Sequence, residues 1–180
     1  MKDIILVILL VLTVVISTIL VMYNSLVRLR NNVKQAKSSI DIYLKQRFDL
    51  VPNLIETVKG YTKHEEGLLE NIARLRSSFN GNNDLKTGEQ LNKEVNRLIA
   101  VAENYPELKA NEQFITLQNT LVKLENQLQD ARIIYNMAVT LLNNKIETVP
   151  SNFIAGLFGF QQAQLFEIDD NEKENPNVKF

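Results

Sequence analysis

The sequence predicts an all-α fold: an N-terminal transmembrane helix continuing into an antiparallel up-and-down four-helix bundle. Three observations carry this. No charged residue occurs from Ile4 to Val27, and that stretch is dominated by aliphatic side chains. Downstream, apolar residues recur at alternating three- and four-residue steps, the period of one helix face. Helix breakers are few, six Gly and four Pro in 180 residues.

Composition narrows function before any motif is considered. A net charge of −1 argues against a general nucleic-acid grip built on excess cations. Absence of Cys removes disulfides, thiolate metal sites and Cys nucleophiles together, and a single His leaves little for acid–base work. No cofactor and no small-molecule substrate are expected.

Taking the elements in order, residues 1–27 read as anchor and short flank. Ile4, Leu10, Val15 and Met22 mark the span, whose 19 residues would cover about 28 Å, near the ~30 Å hydrocarbon core. A cleaved signal peptide is the alternative, but Val21-Met22-Tyr23-Asn24-Ser25-Leu26 offers no good small-x-small site. Arg28, Arg30, Lys34 and Lys37 follow the span and outweigh Lys2 before it, so the positive-inside tendency puts the bundle in the cytoplasm and a short N-terminus outside. The same four cations can also meet anionic lipid headgroups.

Residues 28–149 read as the bundle. Leu26, Leu29, Val33, Ala36, Ile40 and Leu44 extend the first helix from the span to about Phe48. Asp49 as a cap and Pro52 in a first turn suggest a reversal there, with a kinked continuous helix as the alternative. A second helix is expected over 52–79, with Gly60 and Gly67 marking close approach or bending. A polar loop over 77–84 leads to a third helix, opened by a Thr87/Gln90 capping box and ending near Glu103. The fourth is the clearest: Phe114, Leu117, Leu121, Leu124, Leu128, Ala131, Tyr135, Ala138 and Leu142 keep a strict 4-3 seam. An extended homo-oligomeric coiled coil is its rival. Residues 150–166 are apolar, aromatic and too short to span; residues 167–180 are acidic and read as a disordered tail.

A span followed by Tyr23-Asn24-Ser25-Leu26-Val27, then Arg30-Asn31-Asn32-Val33, then Ser39-Ile40-Asp41, resembles the start of the LemA family of bacterial membrane proteins. Lys45 through Tyr61, with Lys63-His64-Glu65, looks like its most recognisable motif. Leu108-Lys109-Ala110-Asn111, Ala131-Arg132, Tyr135-Asn136, Asn143, Pro150-Ser151-Asn152 and Phe158-Gly159-Phe160 continue the pattern, while Lys37 departs from an aromatic common in relatives. The resemblance implies a single-pass anchor, a helical bundle and the bacterial cell membrane. It implies no reaction.

Candidate sites follow from this frame. His64 has no second His one turn away, so a metal role is rejected in favour of a solvated or capping side chain. No nucleophile elbow, phosphate-binding loop or dinucleotide fingerprint occurs, and an enzyme is not expected. Asp41, Arg47, Asp49, Glu56, Arg132 and Asn136 lie beside apolar stripes; they are either an exposed rim or a partly buried set fixing helix register. Phe153, Ile154, Leu157, Phe158 and Phe160 should return toward the bilayer because the helices alternate in direction. They either cap the bundle end or make an interfacial membrane contact. The function expected is therefore a scaffold or membrane-organising factor whose partners are the lipid bilayer and other proteins or further copies of itself. The alternative is an accessory protein passing a signal to a kinase or protease.

Overall fold

The computed structural model describes residues 1–61, 65–82 and 85–166; His64 and the tail from 167 onward lie outside them. The described residues form seven helices and no strand: α1 (Lys2–Asp49), α2 (Val51–Lys59), α3 (Glu66–Asn82), α4 (Leu85–Ala102), α5 (Pro106–Lys109), α6 (Glu112–Glu147) and α7 (Ser151–Leu157). Two compact units share them, Met1–Lys37 with Arg132–Phe180, and Ser38–Ala131. Among the described residues one helix is long and apolar enough to cross a membrane, at the N-terminal end, with a mean hydropathy of 3.3 and no buried residue in that window.

In the Ser38–Ala131 unit the reversal expected at Pro52 does not occur. Leu50 keeps right-handed helical torsions (φ −83°, ψ −15°), and its carbonyl accepts from the Leu54 N–H at 3.0 Å, so α1 bends into α2 and continues. A proline at position 52 has no N–H for the Phe48 carbonyl four residues back, and it would leave that group orphaned. Arg76 of α3 supplies the missing donor, its Nε reaching the Phe48 carbonyl at 3.0 Å. The break falls instead after Lys59, at Gly60 and Tyr61. Asp49 does not cap; it stays within α1, exposed and 4.0 Å from Lys45.

The other boundaries shift for local reasons. The apolar stripe of α3 runs on to a buried Phe79, and the helix extends to Asn82, absorbing most of the expected loop. Because α4 starts at Leu85, Thr87 lies inside it rather than at its cap. Close approach occurs at neither Gly60 nor Gly67, where a Cβ would meet nothing within 4 Å. It occurs at Gly88, where a Cβ would stand 3.0 Å from the Phe79 ring and 3.1 Å from Leu44. α6 has the expected length of 36 residues. Asn111 caps it, its Oδ1 accepting from the N–H groups of Gln113 (2.9 Å) and Phe114 (3.1 Å), while its Nδ2 donates to the Tyr61 hydroxyl at 3.1 Å.

The interior of this unit contains one charged network. Arg47, only 1% exposed, donates to the Glu125 carboxylate of α6 and to the side-chain carbonyl of Asn96 in α4. Asn92 donates to the same Glu125 oxygen at 3.0 Å. Partners fall from Glu125 to Asn111 along α6 as positions rise from Arg47 to Tyr61, so α6 runs antiparallel to the continuous α1–α2 helix here.

Two stability measurements follow, both by denaturant unfolding followed by circular dichroism. Arg47→Leu should cost about 3–5 kcal/mol by stranding Glu125, and adding Glu125→Leu should recover most of that loss. Arg76→Met should cost about 1–3 kcal/mol by orphaning the Phe48 carbonyl, and less than half of that in a Pro52→Ala background, where the main chain regains its own donor.

Candidate functional site

The unit containing Met1–Lys37 holds the junction between the apolar helix and packed protein. Side chains of α1 are exposed up to Thr18, and Ile19, Met22 and Tyr23 are the first to pack. Leu26, Val33 and Ala36 are buried against Ala138, Val139 and Leu142 of α6, together with Ile154 and Ala155 of α7. The last turn of the apolar run is thus also the first turn of a protein interior.

The chain reaches this level through a compact corner. α6 ends at Glu147, before Pro150, and Ser151 is buried with its hydroxyl donating to the Lys145 carbonyl at 2.6 Å, one of the carbonyls that a helix end leaves open. α7 then turns Ile154 and Ala155 inward and leaves Phe153 and Leu157 outward, 70% and 76% exposed. Gly159 closes α7 with φ +69°, and the Phe160 N–H reaches back to the Ala155 carbonyl at 2.9 Å, a Schellman closure that needs a residue tolerant of positive φ. This closure delivers two rings onto α1: Phe158 lies 4.8 Å and Phe160 5.9 Å from Tyr23 between centroids. Arg30 covers the Phe160 ring at 5.2 Å.

Beyond Phe160 the chain runs back along α6, held by its main chain. Asn143 donates from Nδ2 to the Ala163 carbonyl and accepts from the Ala163 N–H, both at 2.9 Å. Asn136, seven residues earlier on the same face, repeats the arrangement with Phe166 at 3.0 and 2.8 Å. Tyr135 donates to the Gln164 carbonyl at 3.0 Å and meets the Phe166 ring edge-on, while Arg132 stands 5.9 Å over that ring. Burial pushes the Tyr135 phenol above the usual tyrosine value. Its contribution is therefore full below that usual value and is lost as pH rises through the folded one.

The residues singled out from sequence are distributed as follows. Phe153, Leu157 and Phe158 face outward, whereas Ile154 is buried and Phe160 half-buried, so the aromatic segment both covers the packed end and presents a greasy surface. Arg28, Arg30, Lys34 and Lys37 are exposed along α1. Arg132 and Asn136 serve the returning segment, and Arg47 serves the charged network. Asp41 is half-buried on α1. Glu56 is exposed on a shallow groove of about 740 Å³ shared with Asn53, Thr57, Glu112, Gln113, Thr116 and Leu117. Among the described residues no three His, Asp or Glu side chains gather as a metal site. Sequence reasoning gave no role to Glu125, Asn92 and Asn96, and took Tyr23 only as part of a family motif. The seven-residue spacing of Asn136 and Asn143 was the one available sign of the clamps.

Comparison with known proteins matches the profile described as the LemA family to residues 36–180. The chain belongs to the LemA family. It is 24% identical over 155 residues to Protein LemA of Metamycoplasma hominis, covering 83% of this chain and 71% of that protein. It is 24% identical over 184 residues to Magnetosome protein MamQ 2 of Paramagnetospirillum magneticum, covering 84% and 67%. Magnetosome protein MamQ of Magnetospirillum gryphiswaldense is 20% identical over 181 residues, covering 84% and 66%. The family match takes in the end of α1, all of α2 to α7 and the returning segment of this LemA-family chain.

The clamps make a direct prediction. Asn136→Ala with Asn143→Ala should speed hydrogen exchange at the Ala163 and Phe166 amides by about tenfold or more, the equivalent of losing ~1.4 kcal/mol of protection, and leave α6 amides unchanged.

Proposed function

We propose that this LemA-family protein is a membrane-anchored organising scaffold that acts by contact rather than catalysis, with its packed portion on the cytoplasmic side of a bacterial cell membrane. The observation that carries this reading is α7 seated against the last turn of the apolar helix, with Phe153 and Leu157 facing outward. If Ile4–Met22 crosses the bilayer, Tyr23 lies at its boundary, and the Phe158 and Phe160 rings, tilted and edge-on against Tyr23, bring the end of α7 to the same depth. Aromatic and aliphatic side chains at that level gain free energy by entering the acyl boundary. At 1.5 Å per residue Arg28 then stands about 8 Å and Arg30 about 11 Å beyond Tyr23, at the outer edge of the headgroup layer, with Lys34 and Lys37 about 17 and 21 Å out; all four support the sidedness, and Arg28 and Arg30 an attraction to anionic lipids. Two contacts, a span and a platform, would hold the protein at a set angle to the membrane, a useful property for arranging other components on it.

The chain has no Trp, which provides a silent background for a depth measurement. Single Phe153→Trp, Leu157→Trp, Val15→Trp and Ile133→Trp variants of the full chain are reconstituted into vesicles containing lipids brominated on the acyl chains. Quenching is expected at 153 and 157 as well as at 15, and not at 133, four turns back along α6 in the same unit. Quenching confined to position 15 overturns the platform.

A further inference from the structure

The outer face of α6 in the same unit carries an unusual surface. From Ile133 to Asn144 there is no charged residue, although this part of the helix is neither in the apolar run nor wholly enclosed. Ile133, Ile134, Met137 and Leu141 are 57–62% exposed. At 3.6 residues per turn they fall within an arc of about 100°, opposite Ala138, Val139 and Leu142, which face the interior. The returning segment does not cover them, because Asn136 and Asn143 hold it along another side of the helix.

Lipid is a poor occupant for this stripe. Counting 1.5 Å per residue back from Glu147, where α6 meets the platform, Leu141 stands about 9 Å and Ile133 about 21 Å farther from the bilayer. The polar layer on each side of the hydrocarbon is only about 5–8 Å deep. A protein surface is required, and a second copy fits best. Two copies anchored with the same sidedness are related by rotation about the membrane normal, and a twofold rotation brings identical faces together side by side. Ile134, Met137 and Leu141 have the three- and four-residue spacing that a parallel helix pair interlocks, and an uncharged stripe carries no self-repulsion. Four aliphatic side chains cover less than the about 800 Å² per partner of a typical stable complex in solution. Confinement in one bilayer raises the effective concentration enough for a smaller patch to serve.

We infer that the outer face of α6 from Ile133 to Leu141 is a self-association surface that pairs, in parallel, with the same face of a second copy in the same membrane. This rests on the proposal that Ile4–Met22 spans the bilayer.

Absence of Cys makes the inference testable in the full chain by disulfide formation in isolated membranes. Met137→Cys and Leu141→Cys should each give a disulfide-linked dimer, since a parallel seam brings equivalent Cα atoms within bonding range. Asn32→Cys, exposed on α1, should give about fivefold less. Adding Leu141→Asp to Met137→Cys should reduce the dimer by a similar factor with unchanged helical circular dichroism. Dimer yields equal at all three positions, a product of another mass, or a dimer that persists beside Leu141→Asp would each overturn the inference. So would no dimer at 137 and 141 with the chain retained in the alkali-resistant membrane pellet, a result that leaves the span standing. Chain released into the alkaline supernatant would remove the span and the inference with it.

Discussion

A backbone amide in hydrocarbon has no water to bond, and a helix is the simplest way for one segment to satisfy all its own polar groups. α1 is long and apolar enough to meet that constraint. The ladder satisfying Ile4–Met22 continues without interruption to Asp49, so side-chain environment changes along one rod while the backbone does not. Thr13 and Thr18 fit this regime, their hydroxyls bonding the carbonyls of Leu9 and Val14 one turn back at 2.7 and 2.8 Å. The rest of the structure inherits its starting direction from that rod. Tyr23 is where exposed apolar surface gives way to packed interior, and the chain returns to it through α6 and α7.

Much of the helical content was legible because long periodic stripes leave few choices. The seam from Phe114 to Leu142 specifies α6 almost residue by residue, and buried Leu54, Val58, Leu91, Val95 and Leu98 sit on the faces their spacing assigns. The errors came where a local signal had a distant answer. Pro52 reads as a break until Arg76, from α3, supplies the Phe48 carbonyl with a donor. Thr87 and Gln90 have capping spacing, yet α4 begins at Leu85. Gly88 drew no notice, because its need for a missing Cβ is set by Phe79 and Leu44 on other helices.

The site was legible in position more than in form. The apolar composition of Phe153–Phe160 and the alternation of helix direction together indicate a return toward the anchor. What they do not convey is the division of labour within the segment, which depends on α7 having only two turns and on Gly159 ending it. Nor does Arg47 announce its partners. Glu125, Asn92 and Asn96 look like ordinary polar positions on amphipathic helices, and only three helices meeting at one level make them a network.

The pair of asparagine clamps carries one more implication. Both grip peptide groups rather than side chains, at Ala163 and Phe166, so the intervening Gln164 and Leu165 and the preceding Gln161 contribute little through their own chemistry. A ribbon fastened in that manner tolerates rewriting. Dyes or affinity handles installed at Gln161 or Leu165 would ride on a fixed track beside α6, offering a reporter position that leaves both the greasy platform and the opposite helix face untouched.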